Sequence, residues 1–423
     1  MIKQSIKQAW GMLRANPLIS SISIAGTALS IAMIMVVILV YQIDMADYAP
    51  ESYRNRMLYI NAAQVSSLDG NGRNRGGFST EVGRECLYAL QIPEASTLID
   101  SDFKPVSLPG KRLFKEYSMK YTDTSFWRVF NFSFQQGRPF SEAEFSSGIP
   151  AAVVSEQVAR ELFGTKDVVG EIIIIDFMSY TITGVVKDVS KAASDAYGQV
   201  WMPYTSNKGY LPAYNRFEGM TGAFTACILA KKTSDFELIR AELQNTTARY
   251  NSTKQETEIS FMRQPLTRVD RAKGSHAFKY VEWKDFLMET GGLLLFLLLV
   301  PALNLTGVAQ SSIQQRKSEI GVRKTFGATF SVLIRQILYE NFVMTMIGGV
   351  AGFFLSFLIL FVGKSFLLGE ETMLNAEMLV KPSLFIFALF FTLLLNILSA
   401  LIPAIRIARQ PAVDALKGDY SNT

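Results

Sequence analysis

The sequence predicts a membrane α-helical protein with four transmembrane helices and a large extracytoplasmic α+β domain of two lobes, inserted between the first and second spans. Three observations lead to this prediction. Of the 423 residues, 49% are hydrophobic and 19% are charged, whereas soluble proteins contain roughly 25% charged residues. The apolar residues are concentrated in four long windows. The segment 43–285, between the first two windows, has the patterning of a folded domain.

Each apolar window is long enough for a span, since about 20 apolar residues cross a hydrocarbon core of about 30 Å. The windows are Leu18–Tyr41, Phe286–Ala309, Phe342–Val362 and Ser383–Ile405. The first window is longer than the apolar region of a signal peptide, and no small-x-small cleavage site follows it. We therefore expect a retained anchor. In the third window, Gly348 and Gly352 form a small-xxx-small pair that permits close helix contact.

The distribution of basic residues predicts the orientation, because cytoplasmic loops are enriched in Lys and Arg. Residues 43–285 contain 29 basic and 29 acidic side chains, so the net charge of +5 arises elsewhere. The positive segments are 1–17, the 310–341 loop and the tail from 406. Both termini and the loop are therefore expected in the cytoplasm and 43–285 outside. A pI near 9.0 then gives no support to nucleic-acid binding.

Four domains follow from this topology. Residues 1–42 contain a cytoplasmic amphipathic helix and the first span, and 43–285 form the extracytoplasmic domain. Residues 286–405 contain the other three spans with the 310–341 loop, and 406–423 form a cytoplasmic tail.

Within 43–285, short β-branched or alternating stretches predict strands, and residues at helical spacing predict helices between them. The strand candidates are 56–62, 103–108, 150–155, 171–177, 180–189, 225–232 and 258–263. The helix candidates are Glu81–Leu90, Ser155–Phe163 and Ser234–Tyr250. Strands alternating with helices favour one or two small α+β lobes. The Gly-rich polar stretch 68–77 predicts a mobile loop.

The sequence carries no catalytic signature. It contains no G-x-x-x-x-G-K-[ST], H-E-x-x-H, G-x-S-x-G or C-x-x-C motif. One His and two Cys cannot form a His-rich or four-thiolate zinc site, so no catalytic, metal or cofactor-binding residue is predicted. His276 is expected at the surface. Cys86 and Cys227 both lie outside and could form one bridge, but their apolar surroundings favour two unpaired buried thiols.

The cytoplasmic segments are too short to form an enzyme domain, so energy or a signal would have to come from a separate subunit. The 310–341 loop has the pattern of a helix, a turn at Gly327–Ala328 and a second amphipathic helix. It is either a docking element for such a subunit or an ordinary basic juxtamembrane loop. The residues alone leave both interpretations open.

Three motifs resemble those of the MacB/FtsX-type ABC transporter permeases. RKSEIGVRKTFGAT at 316–329 is similar to the segment after the family's second span. The run from FWRVFNFSFQQGRPF to GVVKDV, at 126–189, resembles the MacB-type periplasmic core. IPAIRIARQPAVDALKG at 402–418 resembles the family's C-terminal ending. The motifs occur in the family's order and together span nearly the whole chain.

This resemblance implies that the 316–329 helix is a coupling helix seated in a groove of a cytoplasmic ABC ATPase dimer. The implied ATPase-coupling residues are Arg316, Lys317, Glu319, Ile320, Gly321, Arg323, Lys324, Gly327 and Ala328. ATP and Mg would then bind the ATPase and not this chain. The chain has no Walker A motif and begins a few residues before its first amphipathic helix, so we expect the ATPase to be a separate polypeptide.

The resemblance further implies a bacterial inner-membrane permease that forms a homodimer, or a heterodimer with a related permease, and allows a periplasmic adaptor and an outer-membrane channel as partners. Its implied mechanism is mechanotransmission, in which the ATPase moves the spans and thereby the periplasmic domain. The implied function is efflux or relocation of a substrate such as an antimicrobial peptide, a macrolide or a lipoprotein. The alternative is an FtsX-like regulator that activates a cell-wall hydrolase without transport. The size and the GR…LFG…GVV pattern of 43–285 favour the MacB type.

Overall fold

The computed structural model describes residues 17–70, 72–111, 114–210, 217–292 and 329–368, with a few single residues between 386 and 405. The chain divides into two compact units. The described parts of the first, the membrane unit, are 17–42, 284–292 and 329–368. The second, the outer unit, is Ile43–Trp283.

Two described helices are long and apolar enough to cross a membrane. The first helix, Pro17–Met45, contains the apolar window Ile24–Met45, and the long helix, Phe330–Leu368, contains Thr345–Gly363. They coincide with the first and third predicted windows. The second predicted window is helical at 286–292, and its remainder and most of the fourth lie outside the described residues.

The small-xxx-small pair of the long helix contacts the first helix of the same chain. A Cβ atom added at Gly348 would lie 2.8 Å from Cβ of Thr27, and one added at Gly352 would lie 2.6 Å from the carbonyl oxygen of Ala28. Neither position has room for a side chain. The two glycines thus allow the helices to approach closely within one chain, which is the usual role of small residues between membrane helices.

The outer unit contains thirteen described strands in two sheets. The larger sheet has the order β13-β1-β11-β4-β5-β10-β7-β9-β6, and β8 pairs with both β4 and β9; the smaller sheet has the order β12-β2-β3. The β5–β10 and β7–β9 pairs are parallel. The strands are β1 Met57–Ile60, β2 Ala63–Ser67, β3 Arg73–Gly76, β4 Ala95–Ser107, β5 Phe114–Thr122, β6 Phe134–Gly137, β7 Ala151–Ser155, β8 Ile172–Ile175, β9 Met178–Val186, β10 Val200–Pro203, β11 Thr225–Leu229, β12 Thr257–Ser260 and β13 Leu266–Thr267.

Six described α-helices flank these strands. They are α1 Thr80–Val82, α2 Phe126–Val129, α3 Glu142–Ser146, α4 Glu156–Phe163, α5 Phe236–Asn251 and α6 Arg268–Ala272. The helix predicted from Ser155 is confirmed as α4, with the Ser155 side chain accepting a hydrogen bond from the backbone of Val158 as its N-cap. The predicted helix Glu81–Leu90 is irregular, because α1 continues into a π-helical turn at Gly83–Leu87.

One prediction for the outer unit was wrong in part. The stretch 68–77 is not only a loop, since Arg73–Gly76 forms β3; its side chains are mostly exposed, and the strand is held by backbone pairing with β2. The two sheets share one hydrophobic core, which includes Val65 and Ile259 of the small sheet together with Val154 and Ile182 of the large one. Cys86 and Cys227 are buried and unpaired, as predicted.

Candidate coupling site at the end of the first helix

The predicted ATPase-coupling residues, from Arg316 to Ala328, lie outside the described residues. The end of the first helix, in contrast, lies within the described residues. Ile43, Asp44 and Met45 belong to its last turn, and the last four carbonyl groups of any helix lack partners within the helix. Their hydrogen-bond partners therefore determine how the outer unit holds the end of this helix.

Arg54 donates to two of these carbonyl groups and to the carbonyl group of Ala46, just beyond the helix. Its Nη1 donates to the carbonyl oxygens of Ile43 at 3.0 Å, Asp44 at 3.2 Å and Ala46 at 3.0 Å. Its Nη2 donates to the carbonyl oxygen of Ala192 at 2.6 Å. The side chain is fully buried. One guanidinium group therefore ties the end of the first helix to a distant loop of the outer unit, which its planar set of five donors makes possible.

The charge of Arg54 is balanced by Glu51, whose Oε2 accepts a hydrogen bond from Nε at 2.6 Å. The other oxygen of Glu51 accepts from the backbone N–H groups of Asp195 at 2.9 Å and Ala196 at 3.0 Å. A buried ion pair is tolerated only when its remaining donors and acceptors are also bonded, and this pair meets that condition.

Tyr48 completes the surroundings of Arg54. Its hydroxyl accepts a hydrogen bond from Nη2 of Arg54 at 2.8 Å, and the guanidinium carbon lies 4.0 Å from the centre of its ring. Burial raises the pKa of Tyr48 to about 12, although the nearby positive charge of Arg54 opposes the shift. The phenol therefore stays neutral at every physiological pH.

A second layer of charge surrounds the same helix end. Arg268, on α6, donates from Nε to the carbonyl oxygen of Asp44 at 2.7 Å and from Nη2 to its carboxylate at 2.5 Å. Arg271 donates to the carboxylate of Asp195 at 2.7 Å. Burial raises the pKa of Asp195, but the charge and hydrogen bond of Arg271, together with the charges of Lys120 and Arg268, outweigh it, so the net shift is downward.

Lys120, on β5, is buried beside these groups. Its Nζ donates to Oγ of Ser101 at 2.9 Å and to the carbonyl oxygen of Ser194 at 3.3 Å. Burial lowers its pKa, while the negative charge of Asp195 acts in the opposite direction. We call this set the junction cluster: Asp44, Glu51, Arg54, Lys120, Asp195, Arg268 and Arg271. It joins the end of the first helix to three segments that are far apart in the sequence.

Sequence reasoning did not find the junction cluster. The equal numbers of acidic and basic residues in 43–285 were used only to predict the orientation of the chain in the membrane. One local signal was available, because Glu51 and Arg54 are three residues apart and directly follow a long apolar helix. The other members come from distant segments, and only the folded sheet brings them to the same place.

A second surface consists of exposed aromatic residues at or near the tips of two hairpins. Phe103 and Phe114, on the β4–β5 hairpin, are 65% and 68% exposed, and Phe177, in the β8–β9 turn, is 99% exposed. Asp176 and Phe177 have φ angles of 49° and 65°, a left-handed conformation that non-glycine residues seldom adopt and that is often found at functional sites. We call Phe103, Phe114 and Phe177 the hairpin-tip surface. Exposed apolar patches commonly mark interaction sites.

Comparison with known families matches nearly the whole chain. Residues 20–246 match the model of the MacB-like periplasmic core domain, and 291–412 match the FtsX-like permease C-terminal model. Among curated proteins, the chain is 24% identical over 427 residues to the macrolide export ATP-binding/permease protein MacB of Escherichia coli K12, covering 98% of this chain and 60% of that protein. It is 22% identical over 358 residues to the pyoverdine export ATP-binding/permease protein PvdT of Pseudomonas syringae pv. syringae, covering 83% and 51%. The chain thus spans about half to three-fifths of these relatives.

Solved structures of outer domains are also similar. The extracellular domain of the noncanonic ABC-type transporter YknZ from Gram-positive bacteria matches with a TM-score of 0.35 and 15% identity, covering 47% of this chain and 100% of that one. The periplasmic region of MacB from Actinobacillus actinomycetemcomitans matches with a TM-score of 0.33 and 13% identity, covering 47% and 88%.

Proposed function

Because the chain belongs to the family of MacB/FtsX-type ABC transporter permeases, we propose that it transmits ATP hydrolysis by a partner ABC ATPase dimer to its own outer unit. Substrate is thereby exported or relocated from the outer side of the bacterial inner membrane. The chain itself binds no nucleotide in this proposal, and ATP and Mg belong to the ATPase.

The junction cluster is the observation that carries this proposal. Motion of a span can be transmitted to a folded domain only if the end of the span is firmly attached to it. Buried, charged hydrogen bonds from Arg54 and Arg268 to the last carbonyl groups of the first helix provide such an attachment, and charge-assisted bonds are roughly twice as strong as neutral ones. A flexible linker at this point would absorb the motion.

On the cytoplasmic side, we assign contact with the ATPase to the nine predicted coupling residues, which lie between positions 316 and 328. Both termini lie in the cytoplasm and the outer unit lies in the periplasm in this proposal. The four-span topology and a dimer, of identical or related chains, belong to the same proposal. The names of MacB and PvdT associate those proteins with macrolide and pyoverdine export. For this chain we propose an amphipathic substrate of comparable kind, such as a macrolide, an antimicrobial peptide or a lipoprotein.

We further propose that the hairpin-tip surface docks a periplasmic adaptor, which would lead to an outer-membrane channel. Phe177 exposes nearly its whole ring in a strained turn, and the β4–β5 hairpin places two more aromatic rings on one face. A photo-crosslinking residue at position 177 should capture the adaptor in cells. The same residue at Leu68, which is 59% exposed in the β2–β3 turn, should capture none; equal capture at both positions contradicts the assignment.

Two sets of variants test the coupling proposal separately. Glu319→Lys and Gly327→Leu should prevent co-purification of an ABC ATPase, because reversing a charge at a desolvated interface costs about 2–5 kcal/mol. Glu340→Lys, in the long helix and nearer the membrane, should be milder. Arg54→Lys should retain the ATPase but lose substrate transport, since a lysine cannot replace the bonds of a guanidinium fork.

The matched control for Arg54→Lys is Arg160→Lys, at an exposed arginine on α4 that pairs with Glu156; it should keep full transport. If Glu319→Lys and Gly327→Leu retain both the ATPase and transport at equal membrane expression, the coupling assignment of 316–328 is wrong. If Arg54→Lys transports at the wild-type rate, the junction cluster does not transmit motion.

A further inference from the structure

The outer unit contains a basic cleft of about 560 Å³ whose lining does not overlap the junction cluster. Pockets of roughly 300–1,000 Å³ are typical of small-molecule sites. Its charged lining consists of Arg240, Arg263, Asp270 and Lys273, and its aromatic lining consists of Tyr280 and Trp283. The cleft therefore combines an excess of positive charge with aromatic walls.

Most of this charge is already paired. Lys273 donates to Oδ1 of Asp270 at 3.1 Å. Arg240 pairs with Glu237 and donates from Nε to the carbonyl oxygen of Pro265 at 3.2 Å. These two cations and Asp270 form a fixed framework and are not available as the main contact for a ligand.

Arg263 differs from the other cations of the lining. It is exposed, and its guanidinium carbon lies 5.2 Å from the centre of the Tyr280 ring. Within the described part of the chain its side chain forms no hydrogen bond or ion pair. Stacking on an aromatic face leaves the edge of a guanidinium group free, and that edge matches a phosphate in geometry and charge.

The cleft lies where the chain enters and leaves the outer unit. Thr267 and Val269 line it, and Arg268 between them holds the carbonyl oxygen of Asp44 at the end of the first helix. Trp283, also in the lining, is the last residue of the outer unit before the stretch 284–292. The end of the first helix and the residue that precedes the stretch 284–292 therefore both lie at this end of the outer unit.

Aromatic side chains are concentrated at the same place. Trp283 is 56% exposed, and the ammonium group of Lys273 lies 4.8 Å from the centre of its ring. Trp and Tyr are enriched at the level of lipid headgroups, where an amphipathic ring meets both water and apolar chains. A free inorganic phosphate would gain nothing from these rings or from the apolar side chains of Met262 and Val269, whereas a lipid would.

We propose that the basic cleft binds the headgroup phosphate of an anionic phospholipid from the outer leaflet of the membrane. Arg263 binds the phosphate, and Tyr280 and Trp283 contact the glycerol and the upper part of the acyl chains. The bound lipid is a fixed component of the protein at the base of the outer unit, and this role is separate from the transported substrate.

Native mass spectrometry of the full chain in detergent tests this proposal. The probes are phosphatidylglycerol, phosphatidylcholine and inorganic phosphate. The wild type should retain phosphatidylglycerol in preference to phosphatidylcholine, and a large excess of inorganic phosphate should not displace it. Arg263→Gln should lower retention about tenfold, which is the effect of losing a charge-assisted contact. Trp283→Ala should lower retention of both lipids while keeping the preference.

Arg249→Gln is the matched control, because Arg249 is an exposed arginine on α5 that does not line the cleft; its retention should equal that of the wild type. Equal retention by Arg263→Gln and the wild type, or equal retention of the two lipids, overturns the proposal. Displacement by inorganic phosphate overturns it in favour of a free-phosphate site. No ATPase is needed, so the result is independent of the proposed transport function.

Discussion

The membrane unit and the outer unit are stabilised internally by opposite kinds of contact. In the membrane unit, the first helix and the long helix meet at Gly348 and Gly352, where no side chain fits. In the outer unit, the critical position is the fully buried Arg54, with hydrogen bonds from all three of its guanidinium nitrogens. Lipid provides no hydrophobic driving force between helices, so close packing of small residues must hold them. In the outer unit, water does provide a hydrophobic driving force for folding. The outer unit can therefore contain buried charges, provided that each of their polar atoms is hydrogen-bonded.

From this comparison we expect the largest loss of stability on substitution of Arg54. Arg54→Met should destabilise the outer unit by about 3–5 kcal/mol, because it leaves Glu51 buried without its partner and uncaps the end of the first helix. The measurement is the denaturant midpoint of the purified chain, followed by the fluorescence of the buried Trp201.

Arg160→Met is the matched control and should cost about 0.5 kcal/mol or less, since its pair with Glu156 is at the surface. The double variant Glu51→Leu/Arg54→Met should recover part of the loss, because it removes both charges at once. A loss of less than about 1 kcal/mol for Arg54→Met would show that water enters the site and would remove the distinction between the two units.

An intermediate effect is expected at Gly352. A Cβ atom at this position would lie 2.6 Å from the carbonyl oxygen of Ala28 and 2.9 Å from Cβ of Ile31. Gly352→Leu must therefore separate the two helices, and overpacking of this kind costs about 1–3 kcal/mol. The measurement is the thermal aggregation temperature of the chain in detergent.

Ala351→Leu provides the control, because Ala351 is the neighbouring residue on the long helix and is exposed. It should leave the aggregation temperature unchanged. If the two variants lower the temperature equally, close contact at Gly352 is not what stabilises the membrane unit.

The smallest effect is expected at the surface of the outer unit and depends on pH. Glu144 accepts two hydrogen bonds from Arg138 at 2.8 and 3.0 Å, which together with the backbone of Ser141 hold its pKa at about 2. The ordinary value for Glu is about 4.3. The unfolded state thus binds more protons between these values, so the contribution is present above about pH 4.3 and is lost as the pH falls through about 2.

Glu144→Gln should cost about 0.5–1 kcal/mol at neutral pH, since Arg138 is largely exposed and solvent screens the pair. It should also flatten the dependence of unfolding free energy on pH between about 2 and 4.3. Glu171→Gln should leave the unfolding free energy at neutral pH close to that of the wild type, because Glu171 is exposed and forms no ion pair among the described residues. If Glu144→Gln does not change how the unfolding free energy varies with pH between about 2 and 4.3, other carboxylates are responsible for that variation.

The secondary structure could be predicted best where a local pattern was strong. Ser155–Phe163 has an N-cap serine and helical spacing, and it is α4. The alternating stretch 180–189 contains most of β9, Met178–Val186. β3 was missed because its sequence, RNRG, has no apolar periodicity and only backbone pairing with β2 makes it a strand. β5, at Phe114–Thr122, was missed because its polar first half follows a long hairpin that no local signal predicts.

The sequence alone determined the class of the protein, because composition, long apolar windows and ordered motifs are properties of contiguous residues. It identified the family, and it predicted that Cys86 and Cys227 are buried thiols from their apolar neighbours alone. Only the tertiary structure decided the sites. Glu51, Asp195 and Arg268 meet around Arg54, and Arg263 meets Tyr280, because sheet pairing and helix packing bring distant segments together. Each of these contacts joins residues that are far apart in the sequence and that no periodic pattern relates. Whether a charged side chain caps a helix, forms a buried ion pair or leaves its guanidinium group unpaired therefore depends on the neighbours that the fold supplies.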